Sequence, residues 1–110
     1  MRVLTIIGNL GADAKIGQHE KKQVINFSVA VNESYVNADG VVSEKTEWVE
    51  CSKWVKEGGS TKVASYLKKG TQVYVSGLPG LNMYDKKDGG KGQSQTLTVR
   101  ELKLLGGVKD

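Results

Sequence analysis

A chain of 110 residues is one domain's worth of sequence at roughly 100–200 residues per domain, and 38% hydrophobic against 25% charged residues is a globular balance that excludes wholesale disorder. The formal net charge is +4, a weak pointer to an anionic partner. One cysteine, Cys51, and one histidine, His19, exclude an internal disulfide and a structural zinc site, and no apolar run approaches the roughly 18 residues of a membrane span. The expectation is a reduced, cytoplasmic setting with no cofactor, no metal and no membrane partner.

Fourteen glycines beside a single proline favour tight turns and β-structure. Val3 to Leu10 reads as a first strand, apolar and β-branched, ended by Gly8 and Gly11. From Gln23 to Asn32 the period is two: Ile25, Phe27, Val29 and Val31 take one face, Asn26, Ser28, Ala30 and Asn32 the other. Asp39-Gly40 marks a turn, and Glu44 to Val55 forms a third strand. Gly58-Gly59-Ser60 breaks it. Ser60 suits the cap of a short helix carrying Val63, Tyr66 and Leu67, with Gly70 at its stop. Thr71 to Ser76 is a fourth strand with Val73 and Val75 inward. Leu78 to Ser94 is a long polar excursion, read as a hairpin with Asp88-Gly89-Gly90 at its tip, and Gln95 to Leu105 is the fifth strand. Tyr66 and Tyr74 read as core or helix-packing residues, Phe27 and Cys51 as core, and His19 as a loop surface residue. Three strands, one short helix and two strands fit an all-β, five-stranded Greek-key barrel of the oligonucleotide/oligosaccharide-binding (OB) type, its helix between strands 3 and 4 and its long hairpin between strands 4 and 5. Residues 1–107 make one such domain, with 108–110 as its C-terminal end.

The third strand carries the functional signal. Its odd positions include Val49, Cys51 and Val55, and its even positions are Thr46, Trp48, Glu50, Ser52 and Trp54. Side chains alternate across a strand, so both tryptophans leave the same face, about 20 Å apart at about 3.3 Å per residue. Their companions are polar, as is the face of the second strand. Indoles above a small polar floor suit base stacking; a barrel end or a buried subunit interface is the plainer alternative. Charge is uneven: residues 60–91 hold six lysines against two aspartates, while residues 1–59 hold seven basic and eight acidic side chains. Fourteen of the sixteen basic residues are Lys, which meets phosphate as a point charge and does not fork onto guanine edges as Arg does. Tyr84, in the hairpin, and Tyr35, at the end of the second strand, are further stacking candidates, although the parity of Tyr35 matches the apolar face. No set of nucleophile, base and orienting group can be assembled, so no enzyme is expected. Gly58-Gly59-Ser60-Thr61-Lys62 lacks the spacing of a phosphate loop, and Asp85 and Asp88 read as an exposed turn.

Ile6-Ile7-Gly8-Asn9-Leu10-Gly11, Asn32-Glu33-Ser34-Tyr35, Thr46-Glu47-Trp48, the run from Tyr66 through Gly77 and Tyr84-Asp85 together resemble the bacterial-type single-stranded DNA-binding (SSB) family over nearly the whole chain. The resemblance implies an OB-fold that binds single-stranded DNA without strong sequence preference, in replication, recombination or repair. It implies stacking by Trp48, Trp54, Tyr84 and Tyr35, phosphate contacts from Lys56, Lys69, Lys86 and Lys87 with Arg2, and a homotetramer or homodimer. The departures are informative. Val49-Glu50 stands where the family carries a basic residue shortly after Thr-Glu-Trp, and Leu78 to Met83 replaces an Arg-rich stretch, which implies weaker or more salt-sensitive binding. The family's Gly/Pro/Gln-rich, acidic-tipped tail is not in the sequence, so tail-mediated partners are not expected from it. Two rival readings remain: a dimeric replication-restart (primosomal) OB protein, and an OB module whose Trp face is covered by a protein partner.

Overall fold

The computed structural model describes residues 2–56 and 59–105, leaving the side chains of Tyr84 and Lys91 outside that description. The proposed boundary at residue 107 and the break at Gly58 lie outside the described residues. Among the described residues there are six strands: β1 (Leu4–Leu10), β2 (Lys15–His19), β3 (Lys22–Val36), β4 (Val42–Val55), β5 (Gln72–Asp85) and β6 (Lys91–Leu105). They form one sheet in the order β1-β5-β6-β4-β3-β2, and a further pairing of β1 with β3 at Asn9–Ala30 and Leu10–Val29 closes five of them into a barrel. The all-β OB architecture is therefore as expected. All neighbours are antiparallel except β4 and β6, which run parallel from Val49–Gln95 to Ser52–Thr98.

The alternation in the sequence explains the core. Ile25, Val29, Val49, Val73, Val75 and Leu97 are all at most 1% exposed, and each occupies an inward position of its strand. Phe27 and Cys51 join them, as expected. Burial pushes the Cys51 thiol up to about 12, because a thiolate there would lose its hydration. Leu67 closes one end of the barrel, fully buried, just after a 3-10 turn over Lys62–Tyr66. This turn stands where a short helix was expected. The Ser60 hydroxyl accepts the Lys62 N–H at 3.1 Å, one residue ahead of the capping position, which Thr61 occupies without a side-chain bond. The Leu67 carbonyl accepts the Ala14 N–H at 2.8 Å, and the Leu10 carbonyl accepts the Gly70 N–H at 2.8 Å, so the segment is tied to the end of β1.

Three features differ from the sequence reading. β2 was not expected; it is an outer strand paired along its length with Lys22–Asn26 and buries little of its own surface. β3 and β5 run on past their expected ends, to Val36 and Asp85. Tyr66 is exposed rather than packed, and Tyr74 lies half-buried on the outer surface with the Lys103 ammonium 5.7 Å from its ring centre. The extended strands make two hairpins, β3–β4 and β5–β6. Because β4 and β6 run parallel, both project from the same end of the barrel. They account for a radius of gyration of 15.7 Å, against about 13 Å for a compact domain of similar size.

β5 changes partner regime at Gly77. The β5–β6 register shifts between Ser76 and Gly77, and a Cβ at Gly77 would strike the Thr98 carbonyl, so only glycine allows the two backbones to approach there. Pairing with β1 ends at the same point, Leu4–Gly77. Pro79 follows where β5 has β6 alone as a neighbour, and its missing N–H has an open edge to face.

Candidate nucleic-acid interface

The outward face of the β3–β4 ribbon is an ordered polar floor between two indoles. Trp48 is 52% exposed and Trp54 47% exposed. Neither belongs to the core of this chain. Between and beside them, facing residues are joined across the strands in register. The Ser52 hydroxyl donates to Asn26 Oδ1 at 3.0 Å, the Ser28 hydroxyl to Glu50 Oε2 at 3.0 Å, and the Thr46 hydroxyl to Asn32 Oδ1 at 2.9 Å. Small side chains keep the floor low, and these bonds hold their polar atoms in fixed directions, so the indoles stand above their surroundings.

Each indole is positioned by a contact from a distant part of the sequence. A Cβ added to Gly11 would lie 2.5 Å from Cζ3 and 2.6 Å from Cη2 of Trp48, so the loop leaving β1 supports one side of that ring only because residue 11 has no side chain. His19, at the end of β2, meets Trp54 edge to face with ring centres 6.1 Å apart. It is thus part of the aromatic surface and not the isolated loop residue the sequence suggested. Local sequence carries no sign of either contact, since both depend on closure of the barrel and on the added strand.

The remaining aromatic candidates sit differently. Tyr35 is 52% exposed on the projecting β3–β4 hairpin, and the register from Gln23–Val55 to Val36–Val42 is unbroken. No bulge re-aims it, so alternation leaves it on the ribbon face opposite Trp48 and Trp54. Tyr84 lies on β5 near the tip of the other hairpin, with its side chain outside the described residues.

Of the cationic candidates, Lys56 directly follows β4, two residues beyond Trp54, and is exposed. Lys86 and Lys87 are exposed in the β5–β6 turn, where the Lys86 N–H donates to the Gly90 carbonyl at 2.8 Å. Exposed Lys69 lies in the turn after Leu67, its backbone N–H held by Asp13 Oδ1 at 2.8 Å. Arg2 is exposed ahead of β1, which runs between β3 and β5 and is not part of the β3–β4 floor. Lys45 is engaged on the other side of the ribbon: it donates to Glu47 at 2.8 Å, and this hydrogen bond together with the Glu47 charge raises its pKa.

Residues 1–105 match the Single-strand binding protein family, and the chain belongs to that family. It is 34% identical over 110 residues to single-stranded DNA-binding protein 1 of Xylella fastidiosa, covering 97% of this chain and 79% of that one. To single-stranded DNA-binding protein 1 of Chlorobaculum tepidum it is 33% identical over 103 residues, covering 92% of this chain but 62% of the relative. Among solved structures, the Plasmodium falciparum SSB complex with ssDNA superimposes with a TM-score of 0.75 at 21% identity, over 96% of this chain and 95% of that one. The small single-stranded DNA-binding protein from Streptomyces coelicolor gives a TM-score of 0.75 at 14% identity, over 94% and 93%. These likenesses bear out the OB fold and the family resemblance.

Proposed function

We infer that the chain binds and covers single-stranded DNA in a non-enzymatic, sequence-tolerant manner, in the service of replication, recombination or repair in the cytoplasm. The observation that carries the reading is the pair of half-exposed indoles on one face of β4, set above a floor whose facing polar side chains are hydrogen-bonded in pairs across the ribbon. Trp48 and Trp54 each stack a base, contributing about 1–3 kcal/mol per base. Lys56 takes a phosphate beyond Trp54. Lys86 and Lys87, with the Tyr84 ring, meet the strand from the projecting hairpin. Lys69, Arg2 and Tyr35 serve a strand that wraps beyond the floor. The protein acts as a homo-oligomer, a tetramer before a dimer. In support, β1 pairs with β3 only at Asn9 and Leu10, so its Leu4–Gly8 stretch keeps one edge open, beside exposed Val3 and Ile7.

The test is anisotropy of a labelled oligo(dT) against a duplex of equal length over a series of salt concentrations. The expected result is preference for the single strand, with log affinity falling by about 0.7 per phosphate contact for each unit of log salt. Equal affinity for the duplex, or binding indifferent to salt, overturns the reading.

A further inference from the structure

At Trp54 the outward face is three strands wide. Residues paired across strands share a face, so the β2–β3 and β3–β4 registers align into rows. Gly17, Val24 and Trp54 form one row. His19 and Lys22 form the next, level with the point where β4 has ended and Lys56 follows. Val24 is 8% exposed and yet is no member of the barrel's core cluster, so its cover comes from the outward side. Gly17 keeps the β2 end of that row low, since a Cβ there would lie 3.2 Å from Val24 Cγ1. β2 and β4 are two strand spacings apart, about 9.6 Å, and the His19 and Trp54 rings nevertheless meet edge to face with centres 6.1 Å apart. The two side chains therefore lean toward each other across Val24 and Gly17.

The two sides of Trp54 differ in charge. On the side toward Trp48 the floor carries Glu50, held there by the Ser28 hydroxyl at 3.0 Å. On the other side stand exposed Lys22 and Lys56, with exposed Lys21 in the β2–β3 turn. Glu20 is the acidic residue of that turn, in the left-handed region at φ 55°, and its carbonyl accepts the Gln18 amide at 3.2 Å. Lys22 has no ion-pair partner among the described residues.

We propose that His19 and Lys22, beside Lys56, form a phosphodiester subsite for the nucleotide stacked on Trp54, which makes the added strand β2 part of the binding face. The inference rests on the stacking reading above. The phosphate of a stacked nucleotide lies to one side of its base. Toward the floor it would approach the Glu50 carboxylate, which repels it. Away from the floor it meets an ammonium group and an imidazole. The spacing fits: one strand across and two residues along place the Lys22 Cα about 8 Å from that of Trp54, so the lysine's flexible stem can carry its charge to the rim of the indole. Lysine meets phosphate as a point charge and needs no fixed approach. The His19 ring keeps at least one N–H donor whatever its protonation state. Its edge-to-face contact with Trp54 brings that ring beside any base lying on the indole.

The test measures oligo(dT) affinity over a salt series for the unsubstituted protein, Lys22→Gln, His19→Phe and Lys45→Gln. The last removes the same charge from the opposite face of the ribbon and reports the effect of net charge alone. Lys22→Gln should lessen the fall of log affinity with log salt by about 0.7, the loss of one phosphate contact, with a smaller change in Lys45→Gln. His19→Phe keeps a ring against Trp54 but removes the donor. It should weaken binding about three- to tenfold at every salt concentration, one net hydrogen bond, and leave the slope unchanged. Either a Lys22→Gln slope indistinguishable from that of Lys45→Gln, or a His19→Phe protein of full affinity, overturns the subsite while the stacking reading stands. If the unsubstituted protein does not bind the strand, both fail together.

Discussion

The two faces of the β3–β4 ribbon share one backbone and one unbroken register, yet they have opposite chemistry. Inward lie Phe27, Val29, Val49 and Cys51, all at most 5% exposed. Outward lie Asn26, Ser28, Glu50 and Ser52 with two indoles about half exposed. On the proposed reading of the outward face, stability and recognition are separated by a single step in the sequence. An inward side chain holds the barrel together, and its outward neighbour can change without disturbing the core. A family of proteins can therefore vary its binding face while keeping its fold.

The sharpest way to break this division is to cut each face in turn. Phe27→Ala should cost about 3–5 kcal/mol of folding stability, by loss of burial plus the cavity left behind, read as a lowered urea midpoint. An unmoved midpoint would mean that the inward face is not the structural one. On the outward face, Trp54→Ala should weaken oligo(dT) binding by about 1–3 kcal/mol with a stability change of less than about 1 kcal/mol. A Trp54→Ala protein that unfolds, with full affinity in whatever remains folded, would erase the distinction. Gly11→Ala sharpens it further. The added methyl strikes the Trp48 ring, so binding should fall by less than on removal of the ring, about 1 kcal/mol, and unchanged affinity would show that the pose of Trp48 is immaterial.

The smallest effect belongs to Cys51 and appears only in alkali. Its thiol stays neutral in the fold up to about 12, against about 8.5 in an unfolded chain. The folded state therefore holds the proton more tightly. The stability this contributes is complete below about pH 8.5 and declines as the pH rises toward the folded value. Cys51→Ala should flatten that decline in a series of urea melts. An identical alkaline slope in the variant would assign it to other groups.

How much of this was legible in the sequence follows from where each element gets its order. Ile25 to Val31 and Val49 to Val55 alternate because one face of each strand is buried, so both strands and the outward aim of Trp48 and Trp54 could be read by parity. β2 could not: Lys15, Gly17, Gln18 and His19 carry no apolar rhythm, and the strand exists because β3 offers it an edge. The outer parts of β3 and β5 were hidden for a related reason. Hairpins that leave the barrel are solvated on both faces, so their pairing leaves no period in the sequence. The 3-10 turn in place of a helix reflects a segment whose one fully buried anchor, Leu67, lies at its very end. At the site, Gly11 beneath Trp48 and His19 against Trp54 join residues far apart in sequence, and only the closed fold brings them together.

What the two indoles do is reported most directly by their own emission. Intrinsic tryptophan fluorescence should be quenched strongly and saturably as oligo(dT) is added at low salt, and should recover as salt displaces the strand. Emission that stays constant while an independent label shows the strand bound would mean that nucleotides pass elsewhere on the protein, and that the outward face of β4 is not the binding surface.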